Sequence, residues 1–322
     1  MLMKAIEVKE RGGKLELVEK EIPEPGQGQI RIKVQACGVC HGEAVLIEGH
    51  WPNLQYPRTP GHEVIGFVDK LGDGVTAFSV GQRVGVGWYG GHGHQVTGLT
   101  FDGGYAEYMV APAEAVAKIP EELSSVEGAP LLCAGNTTFE TLRHSGAKPG
   151  DMVAIQGLGG LGHLAVQFAN KMGFHTVALS RGQDKEQQAY ELGAHAYIDT
   201  TTQDPAEELK KLGGARVIVA TAPNSKAIAS LLGGLAYEGK LLIVAGEGEP
   251  MMISPVQLLG GHISIQGYTA GDAQASEDTL RFSVQTGARP MVEVFPLEQA
   301  AEAYEKMITS KVRFRAVLKI AD

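Results

Sequence analysis

The chain has 322 residues, 43% hydrophobic and 20% charged, which suffices for two domains with buried cores and excludes a disordered or fibrous protein. Its formal net charge of −9, without a block of lysine and arginine, excludes the basic surface that nucleic acids and anionic membranes require. Charged side chains interrupt every apolar run in residues 1–20, so neither a secretory signal nor a membrane span is predicted, and we expect a cytoplasmic protein.

The first part of the chain has the pattern of short strands. Alternating or β-branched runs are separated by Gly, Pro and Asp, which favour turns. The predicted strands cover residues 30–34, 64–71, 82–86 and 106–110. This part is therefore expected to form a β-rich, barrel-like domain.

From about residue 135 the pattern changes to strands that alternate with helices. Strands are predicted at 152–156, 175–180, 196–198, 216–220, 240–245 and 263–266, and helices between them at 161–172, 184–192, 206–212 and 226–235. This alternation predicts a doubly wound parallel sheet over residues 135–267, and hence an α/β protein. Helices at 277–286 and 297–308 and a strand at 313–320 follow, and we expect that strand to return to the first domain, which then comprises residues 1–134 and 268–322.

A glycine-rich loop follows the first strand of the alternating region and begins an apolar helix. Such a loop permits a tight turn and lets a pyrophosphate approach the free N–H groups of the helix N-terminus. A dinucleotide site is predicted here, with a ligand-free turn as the alternative. The residues expected to contact the dinucleotide are Gly157, Gly159, Gly160, Leu161 and Gly162.

The end of the next strand indicates which dinucleotide is bound. An acidic residue there usually bonds the ribose 2′-hydroxyl of NAD, but this chain has Ser180, Arg181 and Gly182. Arg181, with Lys185 close by, can pair with a 2′-phosphate, so NADP(H) is favoured over NAD(H). The alternative is that Arg181 faces solvent.

Three potential zinc ligands, Cys40, His62 and Cys133, lie far apart in the sequence. The chain has only three cysteines, an odd number that favours metal or thiol chemistry over a disulfide framework. Two thiolates and one imidazole leave a fourth position open, as a catalytic zinc site requires. Spacing alone does not assemble these residues into one site.

Five segments resemble, in this order, the zinc-containing medium-chain alcohol dehydrogenases, close to the yeast and cinnamyl types. They are A-C-G-V-C-H at 36–41, P-G-H-E-V-I-G at 60–66, D-G-G-Y-A-E-Y at 102–108, C-A-G-N-T at 133–137 and G-L-G-G-L-G-H at 157–163. The resemblance implies a GroES-like catalytic domain and a Rossmann domain. It also implies hydride transfer between NADP(H) and a primary alcohol or aldehyde at one catalytic zinc.

The same resemblance assigns roles residue by residue. It makes Cys40, His62 and Cys133 the zinc ligands, and Glu63 a carboxylate that can enter the ligand shell. Trp51 and Trp88 match walls of the substrate pocket, although they can equally fill the core. Further cofactor contacts are expected from His41 on the pyrophosphate, Thr137 near the nicotinamide, Arg315 on the last strand, and Thr221, Gly246 and Ala270. Relatives pair through the edge strand near residues 263–266, so a dimer or tetramer is expected.

The chain departs from this family at two places. The stretch 89–101 has no cysteine where relatives carry a structural zinc, so only one zinc is expected, with His92 and His94 as a weak alternative metal site. Gly42 and Val45 occupy the positions of the usual hydroxyl and histidine of the proton relay. Proton transfer would then use water, the ribose, or a nearby group such as Glu43 or His50.

Three other interpretations remain open at this stage. Loss of the relay is compatible with a reductase of conjugated C=C or C=N bonds. Loss of the lobe that carries the structural zinc in relatives, replaced here by the short stretch 89–101, is compatible with a non-catalytic cofactor-binding protein. Cys37 and Cys40 could form a redox pair, but the strand and helix setting of such pairs is missing, so Cys37 is expected to be a buried core residue.

Overall fold

Three sheets organise residues 1–321, the part of the chain that the computed structural model describes. The chain divides into two units, Met1–Asn136 with Ala270–Asp322, and Thr137–Thr269.

The first unit begins with a hairpin and continues into a sheet. Its elements up to the unit boundary are β1 (Leu2–Val8), β2 (Leu15–Glu21), β3 (Gln29–Val39), α1 (Glu43–Ile47), β4 (Val64–Leu71), β5 (Arg83–Val86), β6 (Tyr108–Pro112), β7 (Val116–Lys118), α2 (Ser125–Gly128) and α3 (Ala134–Arg143), which crosses the boundary. The strands predicted in this part of the chain are present.

The second unit alternates strands and helices, as predicted. Its elements are β8 (Met152–Gln156), α4 (Gly162–Lys171), β9 (His175–Ser180), α5 (Glu186–Glu191), β10 (Ala196–Asp199), α6 (Pro205–Lys211), β11 (Ala215–Ala220), α7 (Ser225–Ser230), β12 (Leu235–Ile243), α8 (Pro255–Gly261) and β13 (Ser264–Gly267). The chain then returns to the first unit with α9 (Ala273–Thr286), β14 (Val292–Pro296), α10 (Ala300–Ile308) and β15 (Arg315–Lys319).

The large sheet of the first unit places the chain segments that form the metal-ligand cluster. Its order is β14-β15-β3-β4-β5-β7, and β6 also pairs with β3. Cys37 pairs with Val64 across β3 and β4, so Cys40 follows one strand while His62 and Glu63 precede its neighbour. On the other side of β3, Ala316 of β15 pairs with Val39. Strand β15 is therefore part of the large sheet of the first unit.

The second unit is a six-stranded parallel sheet in the order β10-β9-β8-β11-β12-β13. The chain order reverses between β8 and β11, the place where doubly wound sheets bind ligands beyond the carboxyl ends of their strands. The predicted Rossmann class is confirmed. One strand differs from the prediction, because β12 already begins at Leu235 and includes Glu238 with φ of 57°, a turn-like position that hides the first part of the strand in the sequence pattern.

The sequence pattern did not predict the β1–β2 hairpin. Its strands pair along seven residues, from Leu2 with Glu21 to Val8 with Leu15. Met3 and Ala5 of β1 are buried against Ala106, a residue distant in the sequence, and Ala5 and Ala106 also form a backbone bridge. None of the helices in residues 1–321 combines the length and the apolar character that a membrane crossing requires.

Candidate active site

Two cysteines from distant segments face each other in the first unit. Cys40 follows β3, and Cys133 ends a short 3-10 helix at Ala129–Leu132. Their sulfur atoms are 3.9 Å apart. The hydrogen bond from Cys133 lowers the pKa of the Cys40 thiol well below its usual value, helped by the charges of His62 and Arg315 and opposed by burial. The thiolate, which is the metal-binding form, is therefore favoured at Cys40.

The imidazole of His62 contacts a buried carboxylate through its Nδ1 atom. Its Nδ1 lies 3.0 Å from Oε1 of Glu43, and both side chains are buried, at 2% and 1% exposure. Oε2 of Glu43 accepts a hydrogen bond from the Cys40 backbone N–H at 3.1 Å. Glu43 thus contacts one predicted ligand and supports the backbone of another. This arrangement orients the imidazole with Nε2 facing away from Glu43.

Glu63 lies in the same cluster and is paired with Arg315. Arg315 Nη2 donates to Glu63 Oε1, and the side chains are 5% and 0% exposed. A Cβ on Gly38 would lie only 1.8 Å from Glu63 Oε2, so only glycine leaves room for this carboxylate. Burial raises the pKa of Glu63 to about 7, although the Arg315 charge opposes the shift. The structure places Arg315 on Glu63, and its expected contact with the cofactor stays a prediction.

The donor atoms of this cluster fit a zinc ion. One ligand atom from each of Cys40, His62, Glu63 and Cys133 lies within 4.8 Å of the others. His62 Nε2 and Glu63 Oε2 are buried and have no hydrogen-bond partner. Buried polar atoms are normally satisfied, so two unpartnered polar atoms beside two sulfur atoms indicate a site for a thiophilic cation.

Trp88 and Trp51 flank the histidine of this cluster. The ring of Trp88 meets the His62 ring edge-on, with centroids 4.8 Å apart, and Trp51 meets Trp88 at 6.3 Å. Both indoles are partly exposed and also pack against a small core of Val8, Leu46, Val96 and Leu99. Both tryptophans therefore pack in a core beside a predicted metal ligand, and their expected place in the wall of the substrate pocket stays a prediction.

Gly42 occupies a space that no larger side chain can enter. A Cβ there would lie 2.9 Å from Trp88 Cζ3 and 2.9 Å from His62 Cε1. The space that the side chain of a relay serine or threonine would need at position 42 is therefore restricted by the Trp88 indole. Glu43 is buried and already contacts His62 and the Cys40 backbone. The His50 side chain is 61% exposed and lies beside Glu48. Neither residue is therefore placed to transfer a proton at the cluster.

The predicted cofactor residues of the second unit gather at the carboxyl ends of its central strands. Gly157 follows β8 with φ of +95°, where a Cβ would meet Thr221 Oγ1 at 2.8 Å. Thr221 follows β11 and donates to the Gln156 carbonyl at 2.8 Å, which fixes the loop. A Cβ on Gly162 would lie 1.8 Å from the Gly157 carbonyl, whereas a Cβ on Gly159 would meet no atom within 4 Å. The loop therefore has the tight turn and the open backbone face that a pyrophosphate requires.

Three residues follow or end β9 at the same edge of the sheet. Ser180 is the last residue of β9 and is buried, whereas Arg181 is exposed. Gly182 adopts φ of +83°. Lys185 is half-buried in a 3-10 turn before α5.

The remaining expected contacts are dispersed. His41 and Gly246 are exposed, and Thr137 is buried. Ala270 begins the segment that returns to the first unit. His92 and His94 are both exposed, and His92 contacts Glu114. The expected binding roles of these residues stay predictions.

The sequence did not reveal Glu43 as the partner of His62. The two residues are brought together only by the pairing of β3 and β4, so spacing offers no direct signal. A buried carboxylate in the otherwise apolar helix α1 could have suggested it. Cys37 is fully buried and donates to the Gly38 carbonyl, as a core residue would, and Cys40 is the cysteine that faces Cys133.

Comparison with known proteins yields matches along most of the chain. The model of the alcohol dehydrogenase GroES-like domain matches residues 26–121, and that of the zinc-binding dehydrogenase family matches residues 160–285. The alcohol dehydrogenase patD of Penicillium expansum is 43% identical over 96% of this chain and 95% of its own. A cinnamyl alcohol dehydrogenase of Sorghum bicolor superposes with a TM-score of 0.88 at 28% identity, covering 99% of this chain and 98% of its own. A cobalt- and zinc-bound alcohol dehydrogenase of Pyrobaculum aerophilum does so with a TM-score of 0.85 at 26% identity, covering 99% and 100%.

Proposed function

The chain belongs to the zinc-type medium-chain alcohol dehydrogenase family, and from that premise we propose that it transfers hydride between NADP(H) and a primary alcohol or aldehyde at one zinc ion. The observation that supports this most is the cluster of Cys40, His62, Glu63 and Cys133, with two buried polar atoms that lack partners. Relatives named as alcohol dehydrogenases along nearly the whole chain support the same activity.

In this proposal Cys40, His62 and Cys133 hold the zinc, with Glu63 at its edge. When bound, the zinc supplies Lewis-acid polarisation of the oxygen of a carbonyl or alcohol. Glu43 fixes the orientation of His62 through Nδ1, so that Nε2 is presented to the ion. Arg315 neutralises Glu63, which reduces the negative charge that two thiolates and a carboxylate would otherwise accumulate.

The second unit binds the dinucleotide in this proposal. The backbone at Gly157 to Gly162 receives the pyrophosphate, and Thr221 keeps the loop in place through the Gln156 carbonyl. Arg181 pairs with the 2′-phosphate, because no acidic residue ends β9 and Arg181 is exposed. This is the basis for NADP(H) over NAD(H).

Proton transfer differs from the usual relay. Gly42 has no hydroxyl, and the space beside it is taken by Trp88 and His62. Since Glu43 is buried against His62 and Cys40, we assign the proton transfer to water or to the cofactor ribose. The two indoles make the substrate side apolar, which suits small aliphatic or aromatic aldehydes.

One assay tests the zinc, the cofactor and the reaction together. NADPH and NADH oxidation are followed with benzaldehyde, in zinc-loaded protein and after chelation, with metal content measured on the same samples. We expect about one zinc per chain, loss of turnover on chelation and a preference for NADPH. Turnover that persists in metal-free protein would overturn the zinc mechanism.

The absent hydroxyl at Gly42 also favours a second candidate, a reductase of conjugated C=C or C=N bonds that needs no relay. An enone offered in the same assay separates the two. Enone turnover above that of benzaldehyde, unaffected by chelation, would favour the second candidate. Tight NADPH binding without turnover of any of these substrates would instead indicate a non-catalytic cofactor-binding protein.

We further propose that the chain forms a homo-oligomer through the edge of the second unit's sheet. Strand β13 ends the sheet order and leaves one edge unpaired within the described chain. In helix α8 and the segment before it, which precede β13 in the chain, Met252, Val256 and Leu259 are 87%, 74% and 74% exposed. Such a concentration of exposed apolar side chains is typical of an interface.

A further inference from the structure

The turn after β9 is held by the neighbouring strand β10. The Gly182 N–H donates to Asp199 Oδ1 at 2.8 Å, and the Tyr197 hydroxyl donates to the Gly182 carbonyl at 2.5 Å. Both polar groups of one backbone residue are thus bound by side chains of β10. We refer to Tyr197 and Asp199 as the β10 clamp.

The clamped residue has a conformation that few residues adopt. Gly182 has φ of +83° and ψ of 147°, and a Cβ there would lie 2.4 Å from Asp184 Oδ1. Immediately before the turn, Ser180 pairs with Asp199 in the sheet, and its carbonyl accepts from the Thr200 N–H at 2.9 Å. The backbone on both sides of Arg181 is therefore fixed by β10 and the residue that follows it.

The Asp199 carboxylate is buried and accepts several hydrogen bonds. It is 6% exposed, and the same Oδ1 also accepts from the Thr201 N–H and hydroxyl at 2.9 and 2.7 Å. These bonds from Thr201, together with the one from Gly182, lower the pKa of Asp199. Its charge is met by three donors, which limits its repulsion of an anion bound nearby.

Arg181 is the one residue of the turn whose side chain is left available. Its side chain is exposed to solvent. A guanidinium on a fixed backbone loses less conformational freedom on binding a phosphate than one on a mobile loop. The geometry of the turn therefore bears directly on how well Arg181 binds an anion.

We propose that Tyr197 and Asp199 are positioning residues that fix the turn at residues 180–182 and so present Arg181 to the 2′-phosphate of NADP(H). This inference rests on the proposed preference for NADP(H). It places part of the cofactor selectivity in a strand that does not itself supply the phosphate ligand.

The test measures nucleotide binding to the full chain by calorimetry, with adenosine 2′,5′-bisphosphate and adenosine 5′-monophosphate as probes. Asp199→Ala and Tyr197→Phe are expected to weaken bisphosphate binding by about 3- to 10-fold, the usual effect of losing one positioned hydrogen bond, and to leave monophosphate binding within about twofold. Asp199→Asn keeps an acceptor for the Gly182 N–H and is expected to retain most of the selectivity.

Asp204→Ala is the matched control. Asp204 also accepts two backbone N–H groups, at the start of α6 in the same unit, but it does not contact the turn. It should lower stability comparably and leave the ratio of the two affinities unchanged. Tyr197→Phe removes a single hydroxyl, so it tests the clamp even if Asp199→Ala fails to fold.

Arg181→Ala separates this inference from the proposed function. If Arg181→Ala abolishes the selectivity while Asp199→Ala and Tyr197→Phe preserve it, the clamp is overturned and the NADP(H) preference stands. If Arg181→Ala leaves the selectivity intact, both are overturned. Tighter bisphosphate binding by Asp199→Asn would show that Asp199 repels the phosphate instead of positioning Arg181, which also contradicts the inference.

Discussion

Gly42 and Trp88 are adjacent beside His62, so a substitution at either position affects the packing of the other. Restoring the hydroxyl with Gly42→Ser brings a Cβ to 2.9 Å from both the indole and the imidazole. We expect the Tm to fall, because overpacking of this kind destabilises a protein by about 1–3 kcal/mol, and kcat/KM to fall as well, because one of the two rings must move. The measurement is kcat/KM with benzaldehyde, alongside the Tm.

The double variant Gly42→Ser/Trp88→Ala identifies the cause. If the clash with the indole is responsible, removing Trp88 should recover part of the loss, relative to Trp88→Ala alone, with a coupling of about 0.5–3 kcal/mol between the two sites. Strict additivity of the two substitutions would show that Trp88 is not the obstacle.

Glu43 provides a second test at the level of single residues. Glu43→Ala removes the carboxylate from His62 Nδ1 and from the Cys40 N–H. We expect zinc affinity to fall about 10- to 100-fold, as is usual when a metal-binding histidine loses its outer partner. Competition with a chromogenic chelator measures this affinity. Glu48→Ala, an exposed carboxylate at the end of the same helix, is the control and should bind zinc as the parent does.

Asp102, the residue that follows the short segment 89–101, fixes the end of that segment through side-chain hydrogen bonds. Asp102 accepts from Lys20 Nζ at 2.8 Å, from Arg58 Nη1 at 3.1 Å and from the Thr59 N–H at 3.1 Å. Burial alone would raise the pKa of Asp102, but the hydrogen bonds from Lys20 and Thr59 and the nearby Arg58 charge lower it. Asp102 therefore joins the end of this segment to β2 and to the chain before β4.

The pH dependence of this contribution follows from the direction of the shift. A carboxyl whose pKa is depressed on folding stabilises the protein above its unfolded value of about 3.9 and ceases to do so as pH falls through the folded value. Because 41% of the Asp102 side chain is exposed, Asp102→Asn should cost only about 1 kcal/mol at pH 7, or about 2–4 °C in Tm. Calorimetry from pH 7 to pH 3 should show the difference shrink. A difference independent of pH, or an equal effect of Asp73→Asn, an exposed carboxylate, would contradict this account.

The elements differ in how far the sequence determines them. Strands β4, β8 and β9 could be predicted to the residue, because apolar runs between glycines and charged residues are sufficient signals for buried strands. The β1–β2 hairpin could not, since Met3 and Ala5 of its first strand are buried against Ala106, which is distant in the sequence. Likewise, β12 begins before a residue with positive φ that resembles a turn.

The same limit applies to the candidate site. The glycine loop is contiguous and was predicted from its own residues, whereas the metal cluster required the family resemblance to join Cys40, His62 and Cys133. The contact of Glu43 with His62 and that of Asp199 with Gly182 could not be predicted from the sequence. In both cases the contact is created by the pairing of adjacent strands, which a single sequence does not display.

At the scale of the whole molecule, the exposed apolar side chains in α8 and the segment before it predict self-association. Val256→Asp with Leu259→Asp should shift the protein to a smaller species, because two buried charges without partners are costly at an apolar interface. Light scattering after size exclusion measures the mass. Leu212→Asp, an exposed leucine at the end of α6, is the control and should leave the mass unchanged. An unaltered mass in the double variant would place the interface elsewhere.

The first unit is interrupted in sequence by the second, which has a consequence for biosynthesis. Strand β15 lies between β3 and β14, so the large sheet is incomplete until Arg315 has been added. At about 5–20 residues per second, the ribosome needs roughly 10–35 s to proceed from Cys133 to Arg315. During that interval the contiguous second unit can fold, while the two thiols proposed to bind zinc lack Arg315, the residue that neutralises the neighbouring Glu63. We therefore expect metal to be acquired after translation of the last strand, and newly made chains to be most sensitive to thiol oxidation in that interval.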